Sequence, residues 1–329
     1  MSRAGTNPER GAALLTVLMI VAVMSTLALG LSQAVLASTE RARLLDTQAQ
    51  LRLYAAAAEE VAQSQLTQLI AETQGRLSSD LPGFGEARVF PVEGGSVRVQ
   101  VRDLTNCFNL NAVAVDAAVS DETAQQTETL AVILEEGGVA ESDARALEAA
   151  LGDWIDDDRI SRPSGAEDAY YLGLSVPYRT SSQSLMNMSE MLAIRGFERA
   201  LLEDFKSVLC ALPEHTLNPK PRLNLNTLRV DQASRLRWAL SGALEINEVR
   251  SLIEARPIGG WTDTESFLEE PVVQRVAPEQ RQLDRLSVVS SLIETVIEVS
   301  YRDDVVRIKV LFELESGQPV RVLRRERVS

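Results

Sequence analysis

One apolar segment near the N-terminus constrains this chain more than any other feature. It runs from Ala12 to Leu31, and no charged residue follows Arg10 until Glu40. As an α-helix, about 20 residues span the hydrocarbon core of a bilayer, which is roughly 30 Å thick. The segment therefore predicts a membrane-spanning helix. The 329-residue chain leaves room beyond it for about two folded units.

Residues 1–11 form a short polar leader that ends in Gly11. This arrangement resembles the start of a type IV prepilin, in which a prepilin peptidase cleaves after the glycine and leaves Ala12 as the new N-terminus. Two other interpretations stay open from these residues alone. One is a secretory signal peptide cleaved before Ser38, and the other is a plain signal anchor with its leader in the cytoplasm.

The helix is predicted to continue beyond the membrane. No Pro or Gly occurs from Thr39 to Gln74. Apolar residues recur there at spacings of three, four and seven, which is typical of one buried helix face. They are Leu44, Leu51, Ala55, Ala58, Ala62, Leu66 and Leu69. The pattern predicts a single helix of about 60 residues, of which half lies in lipid and half packs on a domain.

Strands are predicted at two distant places in the sequence. Apolar and polar residues alternate in 97–101, after a turn at Gly94-Gly95. They alternate again in 306–314, and a turn at Ser316-Gly317 returns the chain as a strand over 319–323. A long helix followed by a few antiparallel strands is pilin architecture.

The region between the strand groups has a helical pattern and contains an internal repeat. Residues 109–116 match residues 224–231 at both Asn and at one Leu, one Val and one Asp. Each copy is followed by two predicted helices and then by a Trp-x-Asp sequence, which begins at Trp154 in the first copy and at Trp261 in the second.

These segments predict an α+β protein. We expect a pilin-like fold, with a long N-terminal helix and a small antiparallel sheet, into which a large all-α domain is inserted. The insert would contain two helix-hairpin-helix or SAM-like repeats. The predicted boundaries are a leader at 1–11, a transmembrane segment at 12–31, the long helix and first strands at 32–105, the insert at 106–284 and the C-terminal strands at 285–329.

Acidic charge is concentrated in the first repeat. Residues 103–175 hold 16 Asp and Glu but only 3 Arg, in a chain of net charge −14. Six of these carboxylates lie within 153–168. Clustered carboxylates repel one another, and Ca²⁺, which takes six to eight oxygen ligands, compensates them best. The spacing is not that of an EF-hand, because Ser161 stands where that loop needs Gly. A solvated acidic loop and a glycosidase-like pair of carboxylates stay open as alternatives.

The chain has two cysteines, Cys107 and Cys210. If the apolar segment anchors the chain, both lie outside the cytosol, where a disulfide can form. Such a bridge would close a loop of about 100 residues. Two buried free thiols are the alternative.

The second repeat resembles a helix-hairpin-helix unit of DNA-uptake and repair proteins. The resemblance rests on residues 223–227, Gly242, Ile253-Glu254-Ala255-Arg256 and Gly259-Gly260-Trp261. The hairpin lacks the second Gly and the nearby Lys that hold phosphate in DNA binders, and acidic proteins repel DNA. A membrane-anchored DNA-binding protein of an uptake system is therefore only the alternative function. No motif for nucleophilic, nucleotide or zinc chemistry is found, and His215 is expected to be a solvated loop residue. An enzyme is not expected.

Taken together, the chain resembles the minor pseudopilin K family of type II secretion systems. The matching stretches, in order, are Arg10–Leu15, Cys107–Asn111, Asp153–Asp156, Gly165–Tyr171, Cys210–Pro213 and Leu223–Thr227. The resemblance implies cleavage after Gly11 and N-methylation of Ala12. It also implies Ca²⁺ bound in the acidic loop of the insert, with Asp156, Asp158, Glu167 and Asp168 as the ligands.

The resemblance further implies a single-pass protein of the inner membrane with its folded domain in the periplasm. Its implied partners are minor pseudopilins I and J, further pseudopilins and the prepilin peptidase. Thr16 would be the fifth residue of the mature chain, where pilins usually carry Glu to pair with the N-terminus of a neighbouring subunit. Loss of that buried charge pair, together with a bulky insert, suits a subunit that caps the filament tip and begins its assembly.

Overall fold

A computed structural model describes residues 8–81, 83–113, 129–213, 216, 222–315 and 318–328, with side chains from Leu14 onward. Helix α1 (Pro8–Thr73) is one continuous helix of 66 residues. It ends where Gln74 and Gly75 take positive φ angles of 57° and 80°, a conformation that stops a helix and that Gly adopts at no steric cost. The predicted long helix is confirmed. Gly11 and Ala12 lie within it.

The two halves of α1 have different environments. From Leu14 to Leu36 its large apolar side chains are exposed, and α1 is the one helix among the described residues that is long and apolar enough to cross a membrane. In the second half, Leu51, Ala55 and Leu66 are buried. The predicted apolar face therefore packs on a domain, although Leu44 at its start remains exposed.

Strands within the described residues form one main sheet and two short pairs. They are β1 (Arg88–Val92), β2 (Gly95–Asp103), β3 (Phe108–Asn109), β4 (Leu209–Cys210), β5 (Leu223–Asn224), β6 (Leu286–Ser287), β7 (Leu292–Tyr301), β8 (Asp304–Glu313) and β9 (Arg321–Val328). The main sheet is antiparallel, in the order β1-β2-β7-β8-β9. β3 pairs with β4 and β5 with β6, both in parallel.

The sheet differs from the prediction in three strands. Sequence analysis predicts β2 and β8 but misses β1 and the central strand β7. In β7 a polar residue, Thr295, faces the core and an apolar one, Val296, faces outward, which blurs the alternation. β9 runs from Arg321 to Val328 and is therefore later and longer than the predicted return strand over 319–323. The turn predicted at Ser316-Gly317 and the loop residue His215 lie outside the described residues.

The chain leaves the sheet after β2 and returns to it at β7, and the region between is largely helical. The α-helices among its described residues are α2 (Leu130–Glu136), α3 (Glu141–Ile155), α4 (Asp168–Tyr171), α5 (Arg199–Phe205), α6 (Ala233–Ala239), α7 (Ile246–Glu254), α8 (Thr264–Leu268) and α9 (Pro271–Gln274). Helix α2 packs against α3 in one hydrophobic core, and helix α6 packs against α7 in a second, separate core. We call residues 106–213 the first helical unit and residues 223–288 the second.

The second helical unit sits at the end of α1 that lies farthest from the exposed apolar segment, and the first unit also contacts the edge strand β9, where Arg324 donates to the carbonyl of Ala211 (3.1 Å). The backbone N–H of Ser79 donates to the carbonyl of Asn226 (3.0 Å), and that of Ser290 donates to the carbonyl of Gly75 (3.2 Å). Leu36 and Thr73 are 37 residues apart, about 55 Å along a helix. The insert is therefore held at the distal end of the stalk.

A buried carboxylate ties the sheet to the second unit. Asp103, at the end of β2, accepts hydrogen bonds from the hydroxyls of Thr227 (2.6 Å) and Ser290 (2.5 Å) and from Nδ2 of Asn224 (3.2 Å). Because all these donors are buried with it, the network joins the two parts rigidly.

The predicted disulfide is confirmed. Cys107 and Cys210 are bonded, with Cα atoms 5.8 Å apart. The bridge lies beside the β3–β4 pair and closes the first helical unit on itself.

Candidate metal centre

Three of the four predicted metal ligands lie together in the first helical unit. Asp156 is the C-cap of α3, Asp158 lies two residues later in the loop, and Glu167 is the N-cap of α4. One carboxylate oxygen from each lies within 4.8 Å of the other two. α3 and α4 thus bring the two ends of a loop to one point.

This point is electrostatically unfavourable for carboxylates alone. Asp156 stands at the C-terminus of α3, where the helix dipole is negative. Burial raises the pKa of Asp156; Arg162 opposes this, and the nearby Asp158 and Asp153 add to it. Burial also raises the pKa of Glu167, against a hydrogen bond from the backbone of Asp168. The guanidinium of Arg162 pairs with Asp156 but does not offset burial and the neighbouring carboxylates, because the pKa of Asp156 stays raised.

Two oxygens of the cluster have no hydrogen-bond partner among the described residues. They are Oδ1 of Asp156 and Oε1 of Glu167, and both are buried. A buried acceptor without a partner costs about 1–3 kcal/mol, and more when it is charged. A bound cation would satisfy both oxygens at once. The donor set is made only of carboxylates, which suits a hard cation such as Ca²⁺.

Asp168, the fourth predicted ligand, faces a different set of groups. Its carboxylate accepts hydrogen bonds from the backbone (3.1 Å) and hydroxyl (3.2 Å) of Thr180 and pairs with Arg179 (2.9 Å). Burial would raise the pKa of Asp168, but the bonds from Thr180 and the charge of Arg179 outweigh it and lower that pKa. Its backbone N–H donates to Oε2 of Glu167 (3.2 Å), so Asp168 orients a cluster member through its main chain.

Sequence analysis missed the groups that support the cluster. Asp153 is fully buried and accepts hydrogen bonds from the backbone of Arg162 and the hydroxyl of Ser161. The guanidinium of Arg162 donates to Oδ2 of Asp156 (2.9 Å). A signal existed, because Arg162 is one of only three arginines in the acidic segment.

Two glycines make room for these groups. A Cβ at Gly152 would overlap the guanidinium of Arg162, and one at Gly165 would lie 2.1 Å from Oδ2 of Asp153. A side chain at either position would displace a charged partner of the cluster.

The Trp-x-Asp sequences of the two repeats are not structurally equivalent, so that part of the predicted match is wrong. Trp154 lies inside α3, whereas Trp261 lies in the loop after α7. Asp263 is the N-cap of α8 and accepts a hydrogen bond from the backbone of Ser266 (2.7 Å). Asp156 instead ends a helix and keeps an oxygen without a partner among the described residues.

Hydrogen bonds show that Leu185, and not Trp154, is the counterpart of Trp261 in the first unit. The side chain of Asn226 bonds both the N–H and the carbonyl of Trp261 (2.8 and 2.9 Å). Asn111, at the matching position of the first repeat, bonds the N–H and carbonyl of Leu185 in the same way (2.7 and 3.0 Å). Two residues after Leu185, Asn187 is an N-cap, as Asp263 is in the second unit. The acidic loop thus lies in an insertion specific to the first unit.

Known protein families match both helical units. Residues 106–214 match the first-domain model of type II secretion system protein K, and residues 223–288 match a second model of the same protein.

Relatives match over most of the chain. The type II secretion system protein K of Klebsiella pneumoniae is 32% identical over 270 residues, which cover 81% of each chain. That of Pectobacterium carotovorum is 29% identical over 323 residues, which cover 97% of this chain and 96% of the relative. A DNA-uptake function finds no support among these relatives.

A solved structure has the same architecture. A chain of the GspK-GspI-GspJ complex from the type 2 secretion system of enterotoxigenic Escherichia coli is 29% identical and superposes with a TM-score of 0.74. The match covers 88% of this chain and 99% of that one. The long helix, antiparallel sheet and helical insert are therefore an arrangement that this chain has in common with a known secretion-system subunit. The chain belongs to the type II secretion system protein K family.

Proposed function

We propose that this chain is the minor pseudopilin that caps the tip of a periplasmic pseudopilus and begins its assembly for the export of folded proteins across the outer membrane. The observation that carries the proposal is the position of the helical insert. It is fixed to the distal end of α1 by the contacts of Ser79 and Ser290 and by the Asp103 network. A pilin-like subunit stacked above would have to occupy the same space.

Processing at Gly11 and Ala12 belongs to this proposal. Cleavage after Gly11 and N-methylation of Ala12 would leave an apolar stalk in the inner membrane and the folded domain in the periplasm. The exposure of the apolar side chains from Leu14 to Leu36 supports such a stalk. Thr16 in the fifth mature position would remove the usual charge pair with a subunit ahead, as a terminal subunit requires.

A subunit that begins pseudopilus assembly has to bind other pseudopilins. The relative in the solved structure is named in a complex with GspI and GspJ, and we propose that the corresponding minor pseudopilins I and J bind this chain. Further pseudopilins would add below them, and the prepilin peptidase would act before assembly. The pairs α2–α3 and α6–α7 would serve as helix-hairpin-helix or SAM-like scaffolding repeats with no role in DNA binding.

The role at the tip is tested by locating the chain on the fibre. Full-length protein with an epitope tag in its insert should be labelled at one end of each pseudopilus, and a strain lacking the gene should not secrete its exoproteins. Labels spaced along the shaft, or normal secretion without the gene, would contradict the role. The N-terminus of protein from a host with prepilin peptidase should be N-methylated Ala12, and a start at Ser38 or Met1 would contradict processing as a prepilin.

We also propose that Asp156, Asp158 and Glu167 bind Ca²⁺, with Asp168 as a supporting residue that orients Glu167. The bound ion would supply positive charge, and the carboxylate oxygens, which otherwise repel one another, would coordinate it. The two buried oxygens without partners among the described residues support this assignment. The role is structural, because the ion would join α3 to α4 across the loop.

Calcium binding is tested by the melting temperature of the full-length protein in detergent. Ca²⁺ should raise it, and Asp156→Asn should abolish the rise. Asp157→Asn is the matched control, because Asp157 is exposed and outside the cluster. An unchanged response to Ca²⁺ in the Asp156 variant would remove the metal assignment.

A further inference from the structure

A positively charged side chain of the acidic loop lies against the cluster of Asp156, Asp158 and Glu167. It belongs to Arg162, whose side chain is only 25% exposed. Its Nη2 atom donates to Oδ2 of Asp156 (2.9 Å), and its Nε atom lies 3.9 Å from Oδ1 of Asp153. The guanidinium therefore lies between two carboxylates, one of which is a member of the cluster.

The local structure favours a cation at this point. The guanidinium lies against the last turn of α3, because a Cβ at Gly152 would overlap its Nη1 atom. The C-terminal end of a helix carries partial negative charge, and α3 has no basic residue in its own last turn. The backbone N–H of Arg162 donates to the fully buried Asp153 (3.2 Å), which fixes the point from which the side chain extends. Arg162 thus supplies the positive charge that the end of α3 lacks.

Each of the three carboxylates in the cluster has one oxygen that accepts a hydrogen bond from the loop itself. The donors are the backbone N–H groups of Ile160 (2.7 Å) and Asp168 (3.2 Å) and the guanidinium of Arg162. Neutral donors to a carboxylate are common in metal sites, because they orient the ligand without opposing the ion. Arg162 differs from the other two donors, since it brings a full positive charge to a carboxylate that Ca²⁺ would use.

Arg162 and a bound ion would act on the two oxygens of the same side chain. Oδ1 of Asp156 is buried and has no partner among the described residues, whereas Oδ2 accepts from Arg162. Two cations this close repel each other, and they do so more strongly in a partly buried site than in water. Without metal, the same arginine opposes the rise in the pKa of Asp156. Arg162 therefore stabilises the cluster most when no ion is bound.

We propose that Arg162 is a built-in counter-ion with which Ca²⁺ competes for Asp156, so that this arginine stabilises the metal-free loop and weakens calcium binding. The inference rests on the calcium binding proposed above and deepens it, because it names the residue that limits the affinity. The loop then stays closed when no metal is bound, and the occupancy of the site follows the concentration of free Ca²⁺ around the protein.

Calorimetric titration of Ca²⁺ into the full-length protein in detergent tests the competition, together with the melting temperature in EGTA. Arg162→Gln should bind Ca²⁺ about tenfold more tightly than the unaltered protein and should melt at a lower temperature in EGTA. Arg162→Lys keeps the charge, so its affinity should stay within about threefold of the unaltered value. Arg159→Gln is the matched control, because Arg159 is exposed and its charge acts on Asp168. It should leave both the affinity and the melting temperature unchanged.

A purely structural role for Arg162 predicts the opposite change in affinity. If the arginine only positions Asp156 for the metal, Arg162→Gln should bind Ca²⁺ more weakly, and that result or an unchanged affinity would overturn the competition. Equally tight binding by Arg162→Lys and Arg162→Gln would also overturn it, because the charge would then have no effect.

Two further outcomes separate this inference from the calcium assignment and from a failure to fold. If Arg162→Gln is unfolded in EGTA, Ca²⁺ should restore its fold, and a variant that stays unfolded with Ca²⁺ would overturn the inference. If the unaltered protein and Arg162→Gln both fail to bind Ca²⁺, the proposed calcium binding is wrong and the inference falls with it. If both bind with equal affinity, only the inference is wrong.

Discussion

Each helical unit has a packed helix pair, α2–α3 or α6–α7, and a short parallel strand pair, and the two units differ in the connection after the second helix of the pair. In the first unit, 29 residues (156–184) separate the end of α3 from Leu185, the residue bonded by Asn111. In the second, six residues (255–260) separate the end of α7 from Trp261, the residue bonded by Asn226. The short connection of the second unit is held by the hydrogen bonds between Asn226 and Trp261. The first connection contains one short helix, α4, and long irregular connections of this kind in compact domains usually have a function.

Both units end the connection with an N-cap, Asn187 in the first and Asp263 in the second, but the first unit also gathers a carboxylate cluster within it. The second unit uses Asp263 at the positive end of α8, where the backbone of Ser266 satisfies it. The first unit places Asp156 at the negative end of α3 and gathers two further carboxylates around it. Under the proposed calcium assignment, two similar sequence copies differ in whether their fold needs a bound ion.

Loss of the disulfide should have the largest effect. Replacing both Cys107 and Cys210 by Ser should lower the free energy of unfolding by about 4–5 kcal/mol, because the bridge closes a loop of about 100 residues. The measurement is unfolding by urea without reductant. The β5–β6 pair of the second unit has no such bond, so reductant should loosen the first unit selectively. A loss below about 1 kcal/mol would show that the bridge does not restrain the first unit.

Calcium should have the next largest effect, and only in the first unit. At a hundredfold excess of Ca²⁺ over its dissociation constant, stabilisation by mass action is about 2.7 kcal/mol. Asp156→Asn should remove that gain, and without metal it should be no less stable than the unaltered protein, because it removes a repelling charge. Thermal unfolding with Ca²⁺ or EGTA checks this. A variant that is equally stabilised by Ca²⁺ would contradict the assignment.

The helix cap of the second unit should have a smaller effect that does not depend on metal. Asp263→Ala should cost about 1 kcal/mol, because the backbone of Ser266 loses its acceptor. The same loss should be measured in Ca²⁺ and in EGTA. A loss that changes with Ca²⁺ would mean that the second unit also responds to the ion, and the contrast between the units would fail.

Acid should reduce the response to calcium. The pKa values of Asp156 and Glu167 are raised by burial, so the folded metal-free protein binds protons at these groups more tightly than the unfolded chain does. That protonation stabilises the metal-free fold at acid pH, and the stabilisation is lost as pH rises through the raised pKa values. Ca²⁺ needs the ionised groups, so the rise in melting temperature with Ca²⁺ should be smaller at pH 5 than at pH 7. An equal rise at both values would argue against buried carboxylate ligands.

Local sequence patterns predicted most of the helices and strands. The features that sequence analysis missed depend on contacts between residues far apart in the chain. The apolar spacing around Leu51 and Leu66 predicted α1, and the alternation around Val97 predicted β2, because each pattern lies within one element. The predicted match of the repeats holds at Asn111 and Asn226 but fails at Trp154 and Trp261, which occupy different positions in the two units. The true match depends on Asn111 bonding Leu185, which is 74 residues away.

The candidate site likewise has a part that local sequence patterns predict and a part that depends on long-range contacts. Asp156, Asp158 and Glu167 were predicted from charge density and from the family resemblance. Their support by Asp153 and Arg162 depends on the exact path of the loop and on the space left by Gly152 and Gly165. Spacing alone does not carry that information, and for the same reason it did not show that Asp168 faces Thr180.

Hydrogen exchange of the full-length protein in detergent, with Ca²⁺ and with EGTA, tests the contrast between the units most directly. Ca²⁺ should slow exchange of backbone amides across 153–171 and leave 254–268 unchanged, and Asp156→Asn should abolish the difference. Equal protection of both segments, or no change in either, would contradict a first unit that is completed by a metal ion and a second that is complete without one.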